Sequence, residues 1–390
     1  MSSPEKPFVV VLLVQRGIHV KLLDLADKED ERPRATHYGP PAIYEMTRAG
    51  IIDEVREAGF VPEGVAWRKP DLSVIAAINS TILEDEASKM VFLPLNQLSK
   101  ILVKHLSATP LASIYWQHRV VGIGQDDENA WVEVETPEGR KAILAPYIVG
   151  YDGANSQIGH SLFGDWELPG YTWKEQIVAT NIYYDFEKFG LGHASFIIDR
   201  ENWYMASRIT NDRLWRVTYG DIPGCTDNEL RARQLEKFRR MLPGNPRPDQ
   251  YKLIGFSPYK VHQWLAKKMK VGRFLLAALL AADATHLCHP FGGLGLTGGL
   301  VDVCGLSDCF GGIYEGKADD EILDKYDEIL RAKYTDIFNH ISTENFKRIF
   351  DQDPEEAAEK GDAKKSHKFA LGANAIQYDF TKHYKSKTTN

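Results

Sequence analysis

Residues Ala281 to Gly299 read AADATHLCHPFGGLGLTGG, and they constrain the fold more than any other stretch. An apolar run, RFLLAALLA, leads into Asp283. His286, Pro290 and a cluster of glycines around Leu294 and Leu296 follow. The pattern is that of a strand that ends in an acid and hands over to a glycine-rich turn opening a helix. A carboxylate at such a strand end can hold a hydroxyl-bearing chain. The glycines let backbone N–H groups approach an anion, and the helix start behind them favours negative charge.

With 390 residues the chain has room for about two domains or one composite one. Its 43% hydrophobic and 26% charged residues are those of a globular protein with a sizeable core. A net charge of −7 argues against nucleic acid as a partner. The four cysteines form no CxxC pair, so neither a disulfide framework nor a metal site is expected. That usage points to a reducing, cytoplasmic compartment. Met1 to Pro7 is short and polar, unlike a signal peptide. No apolar run reaches the roughly 20 residues of a membrane span. The expected partner is a small-molecule substrate, with the chain a monomer or homodimer.

Along the chain, Phe8 to Val14 is a β-branched run, punctuated by Gln15, Arg16 and Gly17, and Ile18 to Leu23 is a second apolar run, ending at Asp24. Ala42 to Ala58 and Leu95 to Leu106 have helical spacing. Strands are predicted at Val74 to Ile78, Met90 to Leu93, Ile114 to Ile123, Ala130 to Thr136 and Ala142 to Gly150. From Gly170 to Gly220 alternating segments rich in aromatics predict a separate sheet. Helices follow at Glu229 to Leu242 and Asp319 to Tyr334. Pro354 to Lys368 reads as a charged linker, and Phe369 to Tyr384 as a tail that docks back. The division expected is 1–168, first part of an α/β domain; 169–258, an inserted β-rich domain; 259–353, the second part of the α/β domain with a C-terminal helix; and 354–390, charged linker and tail.

The order D-x-x-H-x-x-x-P-x-x-G-x-G from Asp283 to Gly295 resembles the second flavin-contacting motif of the FAD-dependent aromatic hydroxylases, the p-hydroxybenzoate hydroxylase-like single-component monooxygenases. Val149 to Gly159, VGYDGANSQIG, is similar to that family's DG motif at Asp152, Gly153, Ala154 and Ser156, with Gly159 where the family has arginine. The likeness runs from about Phe8 to Tyr334 and is nearest to fungal-type members. It implies an α/β, Rossmann-like FAD-binding domain with an inserted β-rich substrate domain and C-terminal helices.

Site residues follow from the same resemblance. Asp283 would bind the ribityl chain. The turn through Pro290, Gly293, Leu294, Gly295, Leu296 and Thr297 would lie against the isoalloxazine ring. Asp152 would touch the flavin region. Asp24 would bind the adenosine ribose, its alternative being a turn-capping Asp, and Arg34 the pyrophosphate. Gln97 stands beside the position of a flavin-contacting side chain that strict register gives to Leu95. Arg208 and Arg216 fall where the family points polar side chains at the substrate. If the two share one sheet face, they would position a phenolate or carboxylate as the catalytic pair. His286 and His289 read as loop histidines.

One family landmark is missing. PFVVV resembles the family's first strand, and LLVQRGIHVKLLD the end of the following helix with the second strand, but the G-x-G-x-x-G turn between them is absent and only Gln15, Arg16 and Gly17 separate the two apolar runs. A parallel crossover needs about a dozen residues. Either the gene model lacks the turn, or the chain has weakened or lost FAD binding. The resemblance implies a FAD-dependent monooxygenase using NAD(P)H and O₂ on an aromatic or electron-rich natural-product-like molecule, in secondary metabolism. A flavin-free relative acting as a cyclase, isomerase or binding protein is the alternative.

Overall fold

The computed structural model describes residues 6–32, 35–153, 156–164, 169–277, 286–287, 291, 294–359 and 376–385. The predicted first strand is a helix, α1 (Lys6–Gln15). A continuous apolar run does not tell a buried strand from a buried helix. Here burial is all-round: Val10, Val11, Leu12 and Leu13 are consecutive and at most 6% exposed. Gly17, at φ +81°, turns the chain from α1 into the strand Val20–Leu23. This is a helix-to-strand step, so the difficulty of joining two strands through three residues disappears.

Val20–Leu23 pairs in parallel with Ala112–Tyr115. A second parallel pair joins Ile148–Gly150 to Phe274–Leu276. The helix predicted over Ala42 to Ala58 is two, α2 (Pro40–Arg48) and α3 (Ile52–Ala58), broken at Gly50, whose φ is +70°. α4 (Leu95–Ser107) lies as predicted, with Leu98 and Leu102 buried. These helices, α1 and the first parallel pair enclose one core with the long α7 (Leu294–Tyr314). Between α4 and α7 come α5 (Gln157–Phe163) and α6 (Asp227–Met241). α6 starts two residues earlier than predicted because Thr226 and Glu229 form a capping box. After α7 come α8 (Glu321–Lys333), α9 (Asn339–Phe350) and α10 (Pro354–Glu359), which stands where the charged linker was expected to begin.

The predicted substrate sheet has eight strands, in the order His286–Leu287, Lys252–Leu265, Gly170–Tyr183, Trp215–Asp221, Tyr204–Arg208, Ala194–Ile197, Gly64–Arg68, Val74–Asn79. It reaches back to take two strands from residues 64–79, and Lys252–Leu265 runs through the expected boundary at 258. Alternation along a strand shows that it has two faces, not which strand it pairs with. One face packs on α6 through Trp215, Val217, Tyr219 and Phe238. The other meets Phe291 and α9 through Ile177, Val261, Phe346 and Ile349. Gln263 ties α9 to this face. Its Oε1 accepts from Tyr171 Oη and Trp173 Nε1, both at 2.5 Å, and its Nε2 donates to Asn339 Oδ1 at 2.9 Å and Ser342 Oγ at 3.0 Å.

α7 is, among the described residues, the one helix long and apolar enough to cross a membrane. It is nearly all buried inside the fold, so here it serves as a core helix. The tail docks back as expected, with Ile376 and Phe380 each 1% exposed.

Candidate active site

Side-chain direction in the large sheet decides which polar groups meet. Ser207 lies directly opposite Arg216, and Arg208 opposite Trp215. Opposed residues of an antiparallel pair share a face, and neighbours along a strand do not. Arg216 therefore faces α9 and the helix layer with Ser207, whereas Arg208 shares the face of Trp215. The expected arginine pair does not form. Their separation of eight is even, but the register joins even to odd positions, so the two strands point the guanidiniums apart.

Arg208 is spent on its own turn. Its Nε donates to Thr210 O at 3.0 Å and its Nη2 to Asn211 O at 2.9 Å, and it lies over the Phe60 ring at 4.9 Å. Arg216 faces inward and donates from Nε to Asn181 Oδ1 at 3.0 Å. Asn181 and Tyr259 share its face, from the adjoining strands.

Opposite stands His37, which the sequence reading did not single out. The short strand His37–Tyr38 pairs with Val91–Phe92, and the imidazole packs 4.0 Å from the Phe92 ring centre. Its Nδ1 lies 2.8 Å from Thr36 Oγ1 and its Nε2 3.1 Å from Ser207 Oγ. His37 as a whole residue is half-buried. The packing around it, with a smaller push from Arg216, nonetheless lowers its pKa to about 3. His37 is neutral at any working pH. Burial also raises Tyr259 to about 12, against the opposing pull of Arg216, so this phenol stays protonated. Arg216 thus supplies the fixed positive charge within the cluster.

Two residues beyond His37, Gly39 N donates to Thr297 Oγ1 at 3.0 Å. A Cβ on Gly39 would lie 3.4 Å from that oxygen, which is tight. This contact joins the His37 loop to the first turn of α7, where Leu294, Leu296 and Thr297 are at most 3% exposed and Gly295 is half-buried. The helix opening expected at Leu294 is present. Asp283, Pro290, Gly293 and Arg34 lie outside the described residues, as does the side chain of His286.

Asp24 sits at the C-terminal end of its parallel strand, the end at which such sheets bind ligands. Its carboxylate is 3% exposed, and Oδ1 accepts from Ala26 N at 2.8 Å, closing a turn. Asp152 accepts from Ser156 Oγ at 2.5 Å and from Ile158 N at 3.1 Å, and so holds the start of α5. Gln97 is exposed on the first turn of α4 while Leu95 is buried. Beside Gln97, Asn96 donates to Glu31 O at 3.0 Å and leaves Oδ1 buried without a partner.

The residues present fit FAD at its two ends. At one end, Asn96 Oδ1 is a buried acceptor without a partner, beside Glu31 and Ala35. At the other end, Gly39, held to Thr297 Oγ1, and the first turn of α7 stand where the ring would lie. For the pyrophosphate the first glycine of the sequence, Gly17, comes only after α1. Among the described residues no cluster of His, Cys, Asp and Glu could hold a metal ion.

Residues 9–339 match the family model described as FAD binding domain. The chain is 32% identical over 355 residues to para-nitrophenol 4-monooxygenase of Pseudomonas sp. (strain WBC-3), covering 90% of this chain and 87% of that enzyme. It is 30% identical to 6-hydroxy-3-succinoylpyridine 3-monooxygenase HspB of Pseudomonas putida (strain DSM 28022 / S16), with 88% and 86% covered. The crystal structure of p-nitrophenol 4-monooxygenase PnpA from Pseudomonas putida DLL-E4 superimposes with a TM-score of 0.87 at 31% identity, over 95% of this chain and 93% of that one. These likenesses favour the hydroxylase reading over a flavin-free cyclase or binding protein. The chain belongs to the FAD-binding-domain family and is a flavin-dependent monooxygenase of the aromatic-hydroxylase type.

Proposed function

We propose that this enzyme hydroxylates a small aromatic ring that carries an ionisable oxygen, a phenol or hydroxypyridine, with NAD(P)H as electron donor and O₂ as oxidant. One observation carries the reading. Arg216 from the sheet and His37 from the helix layer converge on Ser207, placing one guanidinium and one neutral imidazole on the same small space. A guanidinium binds an anionic oxygen through charge-assisted hydrogen bonds. Because His37 carries no charge, the substrate oxygen meets one cation rather than two. Its electron density stays available to the ring, which is what an electrophilic oxygen donor needs. The two named relatives act, by name, on a nitrophenol and on a hydroxypyridine, and both rings fit this description.

When bound, FAD supplies the redox chemistry, taking electrons from the nicotinamide and delivering them to O₂. The residues of this chain position and shield. Phe291, Phe346, Ile177 and Val261 form a dry apolar wall beside the polar cluster. Asn181 fixes the Arg216 fork, and Thr36 and Ser207 fix the imidazole. The described cysteines Cys225, Cys304 and Cys309 are free thiols, which supports a reducing, cytoplasmic setting.

The test is Arg216→Met with 4-nitrophenol as probe substrate. We expect the KM to rise by about ten-fold or more, the scale of one lost charge-assisted hydrogen bond, with flavin content unchanged. An unchanged KM removes Arg216 from the substrate site. Loss of flavin instead assigns it to the cofactor cleft.

A further inference from the structure

A cavity of about 520 Å³ opens at the far end of the large sheet, between α6, the segment around Arg200 and the last residue of α9. It is separate from the His37–Arg216 cluster. The residues that matter in its wall are Asp221, Lys237, Arg200, Trp203 and Phe350.

Three groups there have unmet chemistry. The first is Asp221, whose side chain is fully buried. Its Oδ1 accepts from Arg233 Nε and from Ile222 N, each at 2.8 Å, but its Oδ2 is buried with no hydrogen-bond partner. A buried carboxylate oxygen left unpaired is costly, and it calls for a hydroxyl or N–H donor. The second is Lys237, half-buried on α6. Its ammonium donates only to uncharged oxygens, Glu201 O at 2.6 Å and Asn202 Oδ1 at 3.4 Å. Burial lowers its pKa, against the opposing pull of Asp221, Asp199 and Glu201. The third is Arg200, exposed at the rim and, among the described residues, without hydrogen bond or ion pair.

The remaining charges are satisfied or peripheral. Arg240 is paired with Glu236 at 2.8 Å, Glu201 is exposed, and Glu175 is half-buried. The wall is aromatic: Trp203 stands 6.1 Å from Phe350, ring centre to ring centre. The indole lies so close to Gly220 that any Cβ there would overlap it.

We propose that this cavity binds a nucleoside phosphate. The base lies against Trp203 and Phe350, the ribose hydroxyls donate to Asp221 Oδ2, and the phosphate is held by Lys237 and Arg200. Volume decides against a lone aromatic acid, which offers the same three kinds of contact. A single ring is held by a cavity of roughly 150 Å³, and a drug-sized ligand by about 300–1,000 Å³. The ligand is either a free nucleotide or the adenosine half of the reduced pyridine nucleotide.

The experiment is calorimetric titration of the full chain carrying its bound FAD and freed of excess flavin, which shares the ADP group, with ADP as probe. Turnover is not needed, so the test stands whatever becomes of the hydroxylase substrate. We expect one ADP per chain, weakened about ten-fold or more by Lys237→Met. Arg200→Ala, at an exposed position, gives a second reading where the lysine variant does not fold. We expect 2′,3′-dideoxy-ADP to bind about ten-fold more weakly than ADP, which tests Asp221 without altering the protein. If Lys237→Met also raises the KM for NADH or NADPH, the ligand is the adenosine half of the co-substrate. If ADP binding falls and that KM does not move, it is a separate nucleotide. No binding up to about 1 mM, an affinity of only about 4 kcal/mol, overturns the proposal. So does ADP affinity that neither variant nor loss of the ribose hydroxyls changes.

Discussion

His37 is an imidazole kept without its charge, and that has a thermodynamic signature. Its folded pKa of about 3 lies below the value near 6.5 of an unfolded histidine. Between those values the unfolded chain binds the proton and the folded chain does not, so stability falls as pH falls through that window. One such group contributes a slope of up to about 1.4 kcal/mol per pH unit. Urea midpoints measured from pH 6 to pH 4 should therefore fall less steeply in His37→Gln than in the parent. Equal slopes would show that His37 titrates normally. Arg208 gives the complementary case. Arg208→Met removes two hydrogen bonds to the Thr210–Asn211 turn and should cost about 1–3 kcal/mol of stability without moving the KM for 4-nitrophenol. A KM effect equal to that of Arg216→Met would contradict the face assignment.

α7 is the element on which the site depends, and its glycines record what lies against it. A Cβ on Gly298 would overlap the ring of Phe338, in the π-helical turn Tyr334–Phe338. Gly298→Ala is expected to lower stability by about 1–3 kcal/mol, the cost of overpacking, and to lower the melting temperature measurably. Unchanged melting would mean that the turn moves aside freely. What was legible in the sequence at this scale followed from periodicity. α4 and α6 carry one apolar stripe and were placed to within a few residues, and the opening of α7 at Leu294 followed from its glycines. The PFVVV part of α1 reads as a strand because a helix buried on every side has no stripe to show, whereas Leu12 to Gln15 does read as a helix end. The site was legible only in part for a similar reason. Arg216 stands out in the sequence by its place in a strand, but His37, which the fold brings near it, is supplied by a distant loop, and no spacing rule links the two. Register separated Arg208 from Arg216, and register belongs to the pairing of two strands rather than to either alone.

At the scale of the whole molecule, three strand pairs among the described residues run parallel, and two of them, one ending at Asp24 and the other leading to Asp152, stand apart from the large sheet. The pyrophosphate of FAD carries two negative charges, which the glycine turn of a first βα unit normally meets with backbone N–H groups. Protein of these 390 residues is expected to purify with less than one FAD per chain and to oxidise NAD(P)H slowly. Absorbance of released flavin against protein mass measures this. Stoichiometric FAD in protein whose mass matches the sequence would show that α7 and the His37 loop suffice.

Asp308 gives α7 a further property. Its carboxylate accepts from Arg16, just past α1, and from Arg48 on α2, each at 2.6 Å, while its carbonyl accepts from Tyr384 Oη, also at 2.6 Å. Gly311 and Gly312, side by side, make room for Arg16 and Tyr384. One residue thus works as a clasp between the first helix and the docked tail. Neither strap can come undone without loosening the buckle that holds the other. Dyes on α1 and on the tail would part company in a single step.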